Sequence, residues 1–351
     1  MAEKRAYHFE CQLFRSIHPS TVVDVALTAH FMSSDATGAP PELILVRGNS
    51  LDVFGVSSTA ASSDRRLIRK ARFPLFGQVL SAAAVRFHDQ HRDALMLSFP
   101  GARVSVVEFD PVSRSLSTCS LHDYAGMLAQ EPPQGSETSI LAADCDQRCA
   151  AFIHGVSLMI LPFHQGAGIM ANLELEALTD RQTPLPAAVA AGSSSRPAPL
   201  ATDAHDVGIE NNDYLLPSFR AQLKSQGFQR IHSVAFLHGC FQATLVLLGE
   251  TKPSSTARMA DRKDTCGLKA LALPRSSAGD PSGASDQMPV VWSVDNLPLD
   301  CQKVVAVPEP IGGAIVFATN AIMYLSQSSR CCMATNRLAH TFDSETSLPL
   351  D

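Results

Sequence analysis

Five stretches of this chain repeat one pattern, and an internal repeat narrows the available folds more than any other feature. Each is a short apolar run with a polar or glycine-bearing break, followed in the fuller copies by a second apolar run. They are ELILVRGNSLDVFGV from Glu42, DALMLSFPGARVSVVEF from Asp93, CAAFIHGVSLMILPF from Cys149, ATLVLLGE from Ala243 and GAIVFATNAIMYLSQ from Gly313. Runs of four to six Val, Ile, Leu and Phe residues split by Gly, Asn or Ser read as β-hairpins. They are too short and too often broken for helices of ordinary length.

The repeat starts lie 51, 56, 94 and 70 residues apart. Gln165 to Asn212, 48 residues, contains the Pro/Ala/Ser tract QTPLPAAVAAGSSSRPAPLATDA, which cannot bury enough surface to order itself. Setting it aside brings the third spacing to 46. Lys252 to Thr265, 14 residues, is a polar insertion, and without it the fourth spacing becomes 56. The unit is then close to the ~40–50 residues of a propeller blade. Domain boundaries follow: one partial propeller over residues 1–351, a low-complexity disordered insertion at 165–212 and a polar, loop-rich region at 252–288.

Flanking strands complete each unit. Ahead of the hairpins stand small-residue apolar runs: TVVDVALTAHF, QVLSAAAVRF, TSILAADC, RIHSVAFLHG and QKVVAVPEP. Small side chains suit the innermost strand, where neighbouring sheets crowd a central channel. More polar outer strands follow in RRLIRKARF, RSLSTCSLH and PVVWSVDNL. Four antiparallel strands repeated radially make an all-β propeller. An ordinary β-sandwich of ~100 residues does not explain five copies of one unit. Helical signal is minor, with FRAQLKSQ near Phe219 the best candidate, as a helix or only a turn.

Composition bounds the function. The net charge of −6 argues against strong nonspecific nucleic-acid binding by the chain alone. Charged residues make up 18%, below the roughly 25% usual for soluble domains, consistent with surface covered by partners, with missing sequence that should cover it, or with compositional drift. The local basic run Arg65 to Lys70, with Arg72, reads as a solvated strand face before it reads as a phosphate contact. Nine scattered cysteines, an odd number without a compact framework, point to a reducing compartment. No signal peptide and no apolar window of about 18 residues stand out, so the chain reads as intracellular and soluble.

Chemistry is sparse. Cys145 and Cys149 are separated by three residues, unlike a CxxC zinc pair, and His154 and His164 sit at no ligand interval. His88, Asp89 and His91 form a loop motif unlike HExxH. The inner strands offer Asp24 and Asp144, with Glu309 at an edge, as the carboxylates a propeller hydrolase would need at its channel mouth. Gly312-Gly313 follows a strand as a phosphate loop would, but no Lys-Ser/Thr pair or helix comes after it. The glycines, with Pro308 and Pro310, read as the corner between the first and second strands of a fifth unit. The expectation is therefore no catalytic, cofactor-binding or metal-ligating set.

Several motifs carry a family resemblance. AVPEPIGGAIVFA is similar to the propeller superfamily that includes the UV-damage DNA-binding large subunit, a spliceosomal subunit and the large subunit of the cleavage and polyadenylation specificity factor. RDALMLSFPGARVSVVEFDP (Arg92 to Pro111), RCAAFIHGVSLMILPF (Arg148 to Phe163), RKDTC (Arg262 to Cys266) and VVWSVDNLPLDC (Val290 to Cys301) resemble the N-terminal propeller of the last of these, in the same order. The resemblance implies a nuclear, non-enzymatic scaffold of pre-mRNA 3′-end processing. Its partners would be a WD-repeat subunit and a zinc-finger subunit that read the polyadenylation signal. Its contact with pre-mRNA would be mostly indirect, with no membrane and no small-molecule substrate. It also implies a seven-bladed first propeller, of which this chain reaches a fifth unit. The expectation is a fragment, a truncated product or a protein completed by another chain. A damage-binding adaptor of a ubiquitin ligase and a propeller hydrolase are the competing readings.

Overall fold

The computed structural model describes residues 22–58, 65–88, 90–128, 139–164, 214–252, 264–273 and 288–336. They form five four-stranded antiparallel sheets, the blades of a β-propeller. Blade 1 is β1 (Val25–Ala29), β2 (Glu42–Arg47), β3 (Ser50–Ser58) and β4 (Arg65–Pro74). Blade 2 is β5 (Ser81–Val85), β6 (Ala94–Phe99), β7 (Arg103–Asp110) and β8 (Ser115–Asp123), followed by one helical turn at Ala125–Leu128. Blade 3 is β9 (Ser139–Ala143), β10 (Cys149–His154), β11 (Ser157–Pro162) and β12 (Phe219–Gln222). Blade 4 is β13 (Arg230–Phe236), β14 (Thr244–Glu250), β15 (Cys266–Ala272) and β16 (Val290–Leu297). Blade 5 is β17 (Cys301–Ala306), β18 (Ala314–Ala318), β19 (Ala321–Leu325) and β20 (Arg330–Ala334).

Within each blade the strands pair in chain order, and the first strands β1, β5, β9, β13 and β17 neighbour one another in turn. The repeated hairpins of the sequence are the second and third strands in blades 1, 2, 3 and 5, while ATLVLLGE supplies only β14, the second strand of blade 4. In blade 3 the break is the two-residue turn Gly155-Val156 between His154 and Ser157, with Gly155 at φ 61°, the left-handed region glycine enters without steric cost.

The core is divided into layers between blades. Ile44, Val46, Leu51 and Val53 of blade 1 cluster with Leu95, Leu97 and Val107 of blade 2. Met96, Val104 and Val106 meet Phe152, Met159 and Leu161 of blade 3. Ile153, Leu158 and Ile160 meet Ile231, Leu245 and Leu247 of blade 4. Val246, Leu248 and Leu268 meet Val304, Val316 and Met323 of blade 5. Alternate residues of β14 thus serve two different cores, which is why its run TLVLL is apolar throughout. Each fully buried Leu or Val contributes about 1.5–3 kcal/mol.

Central strands of blades 2 to 4 are buried on both faces, whereas β2, β18 and β19 alternate buried with partly open. Register explains the difference. In blade 5, Val304, Val316, Met323 and Cys332 face blade 4, while Val305, Ile315, Tyr324 and Cys331 take the opposite face. Among the described residues no core cluster joins blade 5 to blade 1. Among the described residues the two end blades therefore bury one face each.

Two local expectations are corrected. FRAQLKSQ supplies a strand, not a helix: β12 pairs with β11 from Ile160↔Phe219 to Ser157↔Gln222, and a single 3-10 turn follows at Lys224–Gln226. Burial of Ala221 and Leu223 in the blade 3/4 core overrides the helical preference of these residue types. The second correction is β15, which runs through the span 252–288. Its residues CGLKALA are mostly buried between β14 and β16. The rest of that polar span, 253–263 and 274–287, lies outside the described residues, as does the Pro/Ala/Ser tract.

The tract's two ends meet. Phe163 bridges Leu215, His164 N donates to Tyr214 O (2.7 Å) and Leu216 N to Pro162 O (3.0 Å). The Tyr214 ring stacks on Phe87 at 5.1 Å, and its hydroxyl accepts from Gln90 Nε2 at 2.7 Å. The neck is thereby fixed to blade 2 as well as blade 3.

Candidate interaction rim

In an antiparallel blade the turns between first and second strands, and between third and fourth, emerge at the same end. The first-to-second turns connect blade to blade through polar side chains. In blade 1, Glu42 opens β2 fully buried, and its carboxylate accepts from Phe31 N (2.9 Å), Met32 N (3.2 Å), Ser33 N (2.9 Å), the Ser33 hydroxyl and Lys70 Nζ (2.8 Å). Burial pushes this carboxyl up, but the Lys70 and Ser33 bonds outweigh it and hold it below the usual 4.5.

Asp93 reaches from the blade 2 turn to accept from His30 N (2.6 Å) in blade 1, and Asp93 N donates to His30 O (2.8 Å). Arg86 holds Asp93 through Nε (2.6 Å) and Asp35 of blade 1 through Nη1, while its backbone N–H donates to Gln147 Oε1 of blade 3 (2.7 Å). Arg148 of blade 3 grips Asp144 through Nε (2.5 Å) and Nη2 (3.0 Å), and its Nη1 donates to Cys240 O (2.7 Å) and Phe241 O (3.1 Å) of blade 4. In blade 4, Gly239 (φ 68°) lies so close to Glu309 of blade 5 that a Cβ there would overlap its carboxylate. Polar contacts therefore link neighbouring turns from blade 1 to blade 4, charge-assisted at the 1/2 and 3/4 junctions, and Glu309 of blade 5 packs against Gly239 of blade 4.

The expected Gly312-Gly313 corner is found between β17 and β18. Gly312 N donates to Pro308 O (3.1 Å) and Val307 N to Gly313 O (2.9 Å). Both glycines are left-handed, at φ 67° and 77°, and a Cβ on Gly313 would lie 2.9 Å from Leu325 O. The corner closes on itself.

The other sequence candidates are dispersed. Asp24, just before β1, accepts from Gly48 N (2.5 Å). Asp144 is clamped by Arg148, and Glu309 sits in the blade 5 turn, so each belongs to a different part of the rim. Asp144, Cys145 and Asp146 do gather ligand atoms within 4.8 Å of one another. Arg148 already supplies the cation there, bonding Asp144 and lying 3.0 Å from Asp146. Burial and the flanking aspartates push the Cys145 thiol up to about 11, the reverse of what thiolate ligation needs. Cys149 lies in the core, and the described cysteines are all unpaired. His91 lies 3.6 Å from Asp35, while Asp89 lies outside the described residues. From the basic run, Lys70 bonds Glu42 and Arg72 forms a two-bond pair with Asp52 (2.6 and 2.8 Å).

Sequence reasoning missed the roles of Arg86, Arg148 and Asp93. The readable signal was an acid and an arginine recurring in or beside these turns: Arg86 with Asp93, then Asp144 with Arg148. On the same rim, Phe241 (80% exposed), Ile311 (71%) and Val112 (92%) present large apolar side chains to solvent. A rigid frame with exposed apolar side chains on short turns is what a docking platform requires.

The fold and rim thus define an all-β propeller with one end cross-linked turn to turn. No protein-family model matches the chain. Over nearly its whole length the chain is similar to the protein named cleavage and polyadenylation specificity factor subunit 1 of Drosophila melanogaster, 28% identical across 90% of this chain and 20% of that protein. The Arabidopsis thaliana protein of the same name is 28% identical across 94% of this chain and 21% of its own length. Protein cft1 of Aspergillus niger is 26% identical across 91% and 23% respectively. The chain spans about a fifth of the length of the curated relatives it matches.

Proposed function

We propose that this chain is a non-enzymatic scaffold propeller of the nuclear machinery that cleaves and polyadenylates pre-mRNA. The observation that carries the reading is the similarity, across about nine-tenths of the chain, to proteins named cleavage and polyadenylation specificity factor subunit 1. The cross-linked rim supports it, because its conspicuous charges are engaged in holding turns together. Its partners are a WD-repeat subunit and a zinc-finger subunit, and its contact with RNA is mainly through them. The net charge of −6 fits that indirect role.

The test is affinity purification of the tagged chain from nuclear extract. Recovery of WD-repeat and zinc-finger processing subunits is expected, together with cleavage activity on a substrate carrying a polyadenylation signal. A cullin recovered in their place would favour the ubiquitin-ligase adaptor and overturn the scaffold reading.

A further inference from the structure

We infer that the cleft between the blade 1 and blade 2 turns is a socket for a mixed-charge partner peptide, which sets an acidic side chain on Arg92 and an adjacent basic one on Glu108. This rests on the scaffold reading and names the chemistry of one contact. The cleft holds about 520 Å³ and is lined by residues that include Ser34, Gln90, His91, Arg92, Glu108 and Phe109.

The bonding of these groups leaves a specific remainder. Asp93, on the wall, is occupied by Arg86 and by His30 N. Asp110 accepts from Val112 N (2.9 Å) and Ser113 N (3.2 Å) in its own turn. Arg92, by contrast, has no hydrogen-bond or ion-pair partner among the described residues, and its Nε is buried. A buried N–H without an acceptor is costly and rare in a folded protein, so an acceptor from outside is the economical explanation. The planar guanidinium fork matches a carboxylate with two parallel bonds.

Glu108 selects among anions. Among the described residues its carboxylate meets the Cys119 thiol, whose pKa burial and Glu108 together push up to about 12. A phosphate dianion or a nucleic-acid backbone entering beside Glu108 would meet a like charge, whereas a peptide carboxylate flanked by a Lys or Arg answers both groups. Phe109 and Pro111 give the aliphatic stems of those side chains an apolar wall.

The experiment places a benzophenone photo-crosslinker at position 117, where exposed Ser117 lines the cleft, in the full-length chain within its native complex. The expected product is a peptide carrying Asp or Glu within two positions of Lys or Arg. Arg92→Glu should lower its yield about tenfold, and changing the partner's acid to Arg should restore it. Lys303→Glu, on blade 5, should leave it unchanged, and equal melting temperatures check that each variant folds. The inference is overturned by crosslinking to RNA, by a peptide lacking the acid–base pair, by no product, or by undiminished yield with a folded Arg92→Gln chain. If the unsubstituted chain recovers no processing subunits, the scaffold reading fails instead, and the sequence of the crosslinked peptide still decides the socket.

Discussion

Replacing Glu42 by Gln isolates what holds the blade 1 turn. The side chain keeps its shape but loses its charge and half its acceptor capacity, while three backbone N–H groups, the Ser33 hydroxyl and the Lys70 ammonium still point at it. Whichever way the amide is turned, its NH2 faces donors. Removing one member of a buried charged network typically costs about 3–5 kcal/mol. Lys70→Met removes only the ammonium, from a side chain 39% exposed, and the backbone donors still hold the carboxylate, so its cost should be about 1 kcal/mol or less. The assay is urea unfolding of both variants, with hydrogen exchange at Phe31, Met32 and Ser33. Faster exchange confined to these amides in Glu42→Gln, together with the larger midpoint shift, is expected. Equal costs for the two variants would refute the reasoning, because the ion pair rather than the turn would then be the source of stability.

The same carboxylate predicts an acid response. Glu42 and Asp52 are held below their ordinary values of 4.5 and 3.8, Asp52 mainly by the hydrogen bonds of Arg72. A depressed carboxylate contributes stability above its unfolded pKa and loses it as pH falls through the folded one, so unfolding free energy should be level above pH ~5 and drop below ~4. A double Glu42→Gln, Asp52→Asn chain should show a shallower acid slope in pH-dependent urea titrations. Gly239→Ala combines a left-handed backbone with a Cβ on Glu309. It should cost about 1–3 kcal/mol, read as a lower melting temperature, and Glu309→Ala in the same chain should recover part of that. Replacing residues 165–213 by a short Gly/Ser link should leave blade 3 intact and, from loop-closure entropy alone, raise stability by about 2 kcal/mol. A lost β12, seen as faster exchange at Leu158 and Ile160, would contradict it.

The hairpins were legible because each is a local object: two apolar runs of strand length with a turn residue between. The inner strands were legible too, since runs such as VALTA, SAAAV and SILAA carry small residues where blades crowd together. What escaped was non-local. β12 returns to Ile160 from Phe219, across the whole tract, and its residues favour helix when read alone. β15 is rich in Ala, Gly and Lys, poor strand formers, and becomes a strand because β14 and β16 bury it. The rim escaped for a third reason. That Arg148 meets Cys240 O, or Arg86 meets Asp35, depends on which turns become radial neighbours. Arg92 was quoted in a motif, but its lack of a partner among the described residues is visible only in the folded chain.

The pinned neck at His164 and Tyr214 has a mechanical consequence. A tether that leaves and returns at one point transmits tension to that point alone. If the Pro/Ala/Ser tract is pulled by something it captures, the load falls on the Phe163–Leu215 bridge and the Tyr214–Phe87 stack. The strand ladders beyond would be spared. The neck then acts as a strain relief for the rim.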